Sequence, residues 1–124
     1  MADIAFGPNG RAYFPTKYHG EVSLSKKKWK IICGEPERFY YRYNAEKVAT
    51  TLINPDLVRY HRLIKDQFIY YKKFDLYKLD EQSEGPVMCK YFAAIMDQGT
   101  KRICTVYPLV RPKEGKEYKG GDPV

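Results

Sequence analysis

The chain has 124 residues, 44% of them hydrophobic, and a formal charge of +7 from 22 Lys and Arg against 15 Asp and Glu. That length and apolar fraction fit one globular domain and exclude a disordered chain. No apolar run approaches the about 20 residues of a membrane span, so no membrane association is expected. The basic excess favours a polyanion as partner. Met1-Ala2-Asp3-Ile4 lacks the basic-then-apolar order of a secretory leader. The three cysteines, Cys33, Cys89 and Cys104, are odd in number and each has apolar neighbours. Both features lead us to expect reduced, buried thiols in a cytoplasmic protein. No Cys or His spacing suits a metal, so neither a metal nor a cofactor is expected.

Residues 1–20 read as an N-terminal loop. Gly7-Pro8-Asn9-Gly10 is turn chemistry, and Ala12-Tyr13-Phe14 is expected to add one short edge strand, stopped by Pro15. Val22 to Ser25 leads into a helix capped by Ser25 and running from about Lys26 to Cys33, with Trp29, Ile32 and Cys33 on one face. Gly34 ends it. Glu35-Pro36-Glu37 restarts a helical segment, and Asn44 caps the next helix, Ala45 to Ile53, whose buried stripe is Ala45, Val48, Ala49 and Leu52. At Asn54-Pro55 the apolar period changes from helical to strand-like, because proline forces the preceding residue out of the α region.

Four strands are expected beyond that stop: Val58 to Ile64, Phe68 to Asp75, Pro86 to Met96 and Lys101 to Val110. The third is almost continuously apolar and so central. Lys113 onward is a lysine- and glycine-rich tail, expected to be mobile. The predicted architecture is α+β: two to three N-terminal helices packed on one face of a four-stranded antiparallel meander. It comprises an N-terminal segment 1–20, a single domain 21–112 and a flexible tail 113–124.

The motifs fall in a recognisable order. Val22-x-Leu24-Ser25-x-x-x-Trp29-x-Ile31 is followed by Glu35-Pro36-Glu37 and by Thr51-Leu52-x-Asn54-Pro55-Asp56-x-Val58. Then come Phe68-x-Tyr70-Tyr71-Lys72, Ile103-x-Thr105-x-Tyr107 and Lys113-x-Gly115. This set, over about residues 20 to 118, resembles the phage barnase-like branch of the barnase–EndoU–colicin–RelE (BECR) superfamily of small ribonucleases and toxins. The resemblance implies a metal-independent endoribonuclease of toxin type, with RNA as substrate and an acidic antitoxin or immunity protein as neutralising partner. It matches Lys72, Thr105 and Tyr107. Where it would lead one to expect histidines, after the helix-one tryptophan and before the Pro-Glu pair, the chain carries Lys30 and Glu35.

Cleavage of RNA by its own 2′-hydroxyl needs a base, a donor to the phosphoryl oxygens and an acid for the leaving oxygen. The candidates for proton transfer are His61, on strand one, and His19, before helix one; the bland alternatives are an exposed strand histidine and a turn histidine. Lys72, Thr105 and Tyr107 are the candidates for holding the phosphate; the alternatives are edge protection for the lysine and cross-strand packing for the pair. By strict period-two counting Ile103 shares the face of Thr105 and Tyr107. Lys27, Lys30, Arg59, Tyr70 and Arg102 are candidates for binding RNA through phosphate neutralisation and base stacking, against the ordinary reading of lysine runs as solvated surface. Two functions follow: the ribonuclease just described, or a catalytically degenerate module of the same fold that holds RNA or a protein without cutting it. The ribonuclease requires Lys72, Thr105 and Tyr107 to meet on one open face of the sheet.

Overall fold

The computed structural model describes residues 5–34, 45–74 and 91–120. Over these the chain runs β1 (Arg11–Thr16), β2 (Gly20–Ser25), α1 (Lys26–Gly34), α2 (Ala45–Ile53), β3 (Leu57–Tyr60), β4 (Gln67–Lys73), β5 (Tyr91–Asp97) and β6 (Arg102–Leu109). All the strands lie in one six-stranded sheet of order β1-β2-β6-β5-β4-β3. β2 and β6 are parallel, and every other neighbouring pair is antiparallel.

The expected four-stranded antiparallel meander under two to three helices is therefore corrected: the sheet is six-stranded and mixed, and the described residues hold two short helices. The difference lies in the first 25 residues. Ala12, Phe14 and Thr16 are buried while Tyr13 and Pro15 are exposed, the alternation of a half-buried strand. Gly20, at φ 70°, supplies the left-handed residue where the hairpin turns back into β2. Pro15 does not stop this strand, because β1 is at the sheet edge, where a missing N–H is tolerated. The helical segment expected at 35–44, the loop at 77–85 and the start of the third predicted strand lie outside the described residues, as does Cys89.

Two apolar clusters sandwich the sheet. The larger joins Val22, Leu24, Phe68, Tyr70, Phe92, Ala94, Met96 and Val106 to Trp29 and Ile32 of α1 and to Val48 and Leu52 of α2. The smaller, on the opposite face, is built from Ile69, Tyr71, Ala93 and Ile95, with Leu57, Cys104, Tyr107 and Leu109 against it. β4 and β5 send alternate residues into the two clusters, so both strands read as continuous apolar runs. Between Ile95 and Met96 the register with β6 shifts: Ile95 faces Thr105 but Met96 faces Ile103, leaving Cys104 as the extra residue of a bulge. The bulge turns Ile103 into the main core and away from Thr105 and Tyr107, so the face assigned to it by counting is reversed.

The C-terminal segment is docked rather than loose. Tyr118 is 7% exposed within the main core, and residues 116–118 pair with the outer edge of β3 through Tyr60 N–H to Lys116 O (2.8 Å) and Tyr118 N–H to Val58 O (2.7 Å). The expected boundary at residue 113 therefore separates nothing in the described chain. No described helix is long and apolar enough to cross a membrane.

α1 has nine residues, too few to hold together without packing and a cap. Ser25 Oγ accepts from Lys28 N–H at 3.0 Å, whereas the first turn holds lysines and no acid, opposing the helix dipole. Ser25→Ala should lower unfolding free energy in urea by about 1 kcal/mol. Lys27→Glu should raise it by roughly 0.5 kcal/mol. A cap with no measurable effect would mean that packing of Trp29 and Ile32 alone sets this helix.

Candidate functional site

The period of β4 separates the expected site. Lys72 follows Phe68 and Tyr70 on the helix-covered face, opposite Phe92. Thr105 and Tyr107 pair with Ile95 and Ala93 on the other face. The three residues on which the phosphate site was to rest do not converge. Lys72 instead donates to the carbonyl of Asn54 (3.0 Å), just past the end of α2, and lies 3.9 Å from Asp56. A cation there complements the negative end of the helix dipole. Asp56 closes the same corner: its N–H donates to Tyr71 O (2.9 Å) and its carboxylate accepts from Lys73 N–H (2.7 Å). Lys72 fastens α2 to the sheet.

His19 also belongs to the interior. It is 6% exposed, Nδ1 is 2.6 Å from the Tyr70 hydroxyl, and its backbone N–H donates to Thr16 Oγ1. Its ring lies at 4.1 Å from that of Phe68 and 4.9 Å from that of Tyr118, centroid to centroid. Nε2 is buried without a hydrogen-bond partner. Burial, and then the nearby Lys101 charge, lower its pKa to about 4. Tyr70, expected to stack a base, is completely buried, and burial pushes its hydroxyl up to about 12. Lys27 and Lys30 are exposed on α1, which covers the main core and hence the face away from Thr105 and Tyr107.

On that second face the structure gathers a different set. His61, Arg62, Leu63, Ile69, Ile95, Tyr107, Lys113 and Glu114 line a half-open cleft of about 290 Å³. Ile69 and Ile95 are its apolar floor, and the Lys113 ammonium stands 5.3 Å from the centre of the Tyr107 ring. His61 is fixed by its own loop: Nδ1 accepts from the N–H groups of Leu63 and Ile64, each at 3.1 Å, and its backbone N–H donates to Gln67 O (2.9 Å). With Nδ1 occupied as an acceptor, the neutral ring carries its hydrogen on Nε2 and acts as a donor there. Arg59 shares this face but donates to the carbonyl of Lys113, and Lys113 N–H donates to the Tyr71 hydroxyl at 3.2 Å. Burial, opposed by that N–H and by Arg59, raises the Tyr71 hydroxyl pKa. Arg102, exposed at the start of β6, pairs in register with Asp97; His61 and Arg102 stand at the same end of the sheet.

Of the expected residues, then, His61 and Tyr107 line the cleft, Arg59 braces it, and Thr105 and Arg102 are on its face. Lys72, His19, Tyr70, Lys27 and Lys30 are not on that face. Lys113 and Glu114 were not among the expected site residues, because their segment read as a mobile tail. The signal that would have revealed them is Tyr118, a large aromatic in an otherwise polar run. Among the described residues no group of three or more His, Cys, Asp or Glu side chains is placed to hold a metal. Comparison of the chain with family models, with curated proteins and with solved structures finds no match.

The His19 box makes stability depend on pH. The unfolded side chain titrates near 6.5 and the folded one near 4, so between these values the unfolded state binds a proton that the native state refuses. The contribution of the neutral ring is complete above pH 6.5, falls as pH drops toward 4 and changes no further below that. The loss should approach about 3 kcal/mol across this window. Urea unfolding of the wild type and His19→Gln at closely spaced pH values checks it: the difference between the two proteins should shrink from pH 7 to pH 4, and a constant difference would refute the assignment.

Proposed function

We propose that the chain is an RNA-binding module whose ligand lies in the cleft on the second face of the sheet. The observation that carries this reading is the convergence of Arg62, Lys113, Tyr107 and His61 around one apolar-floored cleft. Cations neutralise phosphate, and an aromatic ring offers a stacking surface that every base can use. The cleft is near the small end of ligand sites, which start at about 300 Å³, and so suits one nucleotide of a longer strand. The net charge of +7 favours the polyanion at longer range. The dispersal of Lys72 from Thr105 and Tyr107 speaks against the cleavage chemistry that the resemblance to BECR ribonucleases implied, and favours binding over cutting.

A second reading keeps catalysis but moves it. His61 and Glu114 line the same cleft, one a donor at Nε2 and the other a carboxylate acceptor. Glu114 would take the 2′-hydroxyl proton while His61 Nε2–H hydrogen-bonds the charge developing on the phosphate, and water would protonate the leaving 5′-oxygen. In this version Arg62 and Lys113, not Lys72, face the phosphate.

Fluorescence polarisation with a labelled single-stranded RNA, in EDTA and over a salt series, separates these readings. Binding should weaken steeply with salt. Lys113→Ala and Arg62→Ala should each weaken it and reduce the salt slope by about 1. Lys72→Ala should leave affinity unchanged while lowering the melting temperature. Intact RNA recovered after long incubation supports the binding module; fragments lost with His61→Ala support the relocated nuclease. Failure to bind RNA at low salt would remove both.

A further inference from the structure

The segment after β6 passes from one face of the sheet to the other. At its start Lys113 N–H is bonded to the Tyr71 hydroxyl on the second face, and Lys113 with Glu114 forms a wall of the cleft. It then runs along the exposed edge of β3, where Glu117 pairs with Arg59 in an antiparallel bridge. At its end Tyr118 enters the main core on the opposite face, with ring centroids 5.5 Å from Tyr18, 4.9 Å from His19, 5.5 Å from Tyr60 and 5.0 Å from Phe68.

Two glycines fit this path and little else would. A Cβ on Gly115 would come to 3.0 Å from the carbonyl oxygen of Tyr60. Gly120, at φ +76°, would place one 2.8 Å from the ring of Tyr18. Seating depends on one large side chain and a few backbone bonds: Tyr118 in its aromatic box, Lys116 O and Tyr118 N–H on β3, and Arg59 on Lys113 O. Such a short segment docks or releases as a unit, since its bonds share one anchor.

We propose that residues 113–118 form a strap, that Tyr118 is the positioning residue which seats it, and that occupation of the cleft by RNA phosphate is thermodynamically linked to this seating. The inference rests on the RNA-binding reading of the cleft. Tyr118 is shielded from the cleft by the sheet and contacts no ligand there. It acts by fixing the backbone that presents Lys113 and Glu114. Linkage requires reciprocity: if the seated strap favours RNA, bound RNA must favour the seated strap by the same factor.

The experiment is amide hydrogen exchange on the full chain, with and without saturating single-stranded RNA, alongside polarisation measurements on Tyr118→Phe and Tyr118→Ala. Bound RNA should slow exchange of the Tyr60 and Tyr118 amides by about fivefold or more. Amides of α1, which packs on β2 and β6 rather than on β3 or the strap, should not change. Tyr118→Phe, which keeps the ring, should bind like the wild type; Tyr118→Ala should lose about tenfold in affinity at a temperature where circular dichroism shows it folded. If Tyr118→Ala does not fold, the exchange measurement on the wild type decides by itself. RNA that binds yet leaves the strap amides unchanged overturns the strap and spares the cleft. A wild type that binds no RNA overturns both.

Discussion

The bond between His19 Nδ1 and the Tyr70 hydroxyl, 2.6 Å long and wholly interior, ties the first hairpin to the middle of the sheet. It links residues 51 apart in the chain. Around it Tyr18 N–H donates to the same hydroxyl, Thr16 Oγ1 turns the chain by donating to Gly20 O, and Lys101 donates to His19 O from the β5–β6 turn. The β1–β2 turn is thereby fixed above β4 although its strands lie at the far end of the sheet. The same ring forms one wall of the box that receives Tyr118. A buried histidine with one nitrogen unpartnered is costly. Here it stays neutral and supplies a flat surface to Phe68 and Tyr118, so burial of the rings offsets that cost.

Several cations that composition would assign to a polyanion are used internally. Lys72 donates to Asn54 O, Arg59 to Lys113 O and Lys101 to His19 O. Each satisfies a carbonyl at a helix end, strap or turn that the ladder of the sheet leaves over. Engagement by the fold thus takes these three cations out of easy reach of a ligand without altering the net charge of +7. It also explains why Lys72, unlike its neighbour Lys73, is not on the face of Thr105 and Tyr107. A strand displays alternate residues to opposite faces, and Tyr70 and Tyr71 could each have been core. α2 decides the matter, because Leu52 and Val48 are buried against the face that Phe68, Tyr70 and Lys72 share.

Local signals were legible wherever a single rule governed the outcome. Ser25 capped a helix, Asn54-Pro55 ended one, and Phe68 to Lys73 alternated as a strand. What was not legible needed partners distant in sequence. Ala12 to Phe14 suggested a short edge strand, but its continuation through Pro15 to Thr16 shows only once Gly20 to Ser25, which read as a lead-in to the helix, pairs with it. The side of Ile103 was misread because one extra residue, Cys104, shifts parity in mid-strand, and nothing in Ile103-Cys104-Thr105 marks a bulge. His19 looked like a turn residue, and it is one; its burial comes from Phe68, Tyr70 and Tyr118, which only the fold brings to it.

The cleft follows from the same geometry. Its floor consists of the small cluster's own side chains, Ile69 and Ile95, and its rim of the β3–β4 loop on one side and the strap on the other. Neither rim is an arbitrary loop. The first is closed by His61, whose Nδ1 gathers two amides; the second is bonded to Tyr71 and Arg59. A site held this way has its donors oriented before any ligand arrives, which reduces the entropy lost on binding. The same fixation limits chemistry: with Nδ1 accepting two amides and Nε2 bearing the hydrogen, the neutral His61 ring donates a hydrogen bond but has no free lone pair to act as a base, so a base would have to come from the other rim, at Glu114. Binding therefore needs only what the fold has already arranged, whereas cleavage needs the two rims to act together.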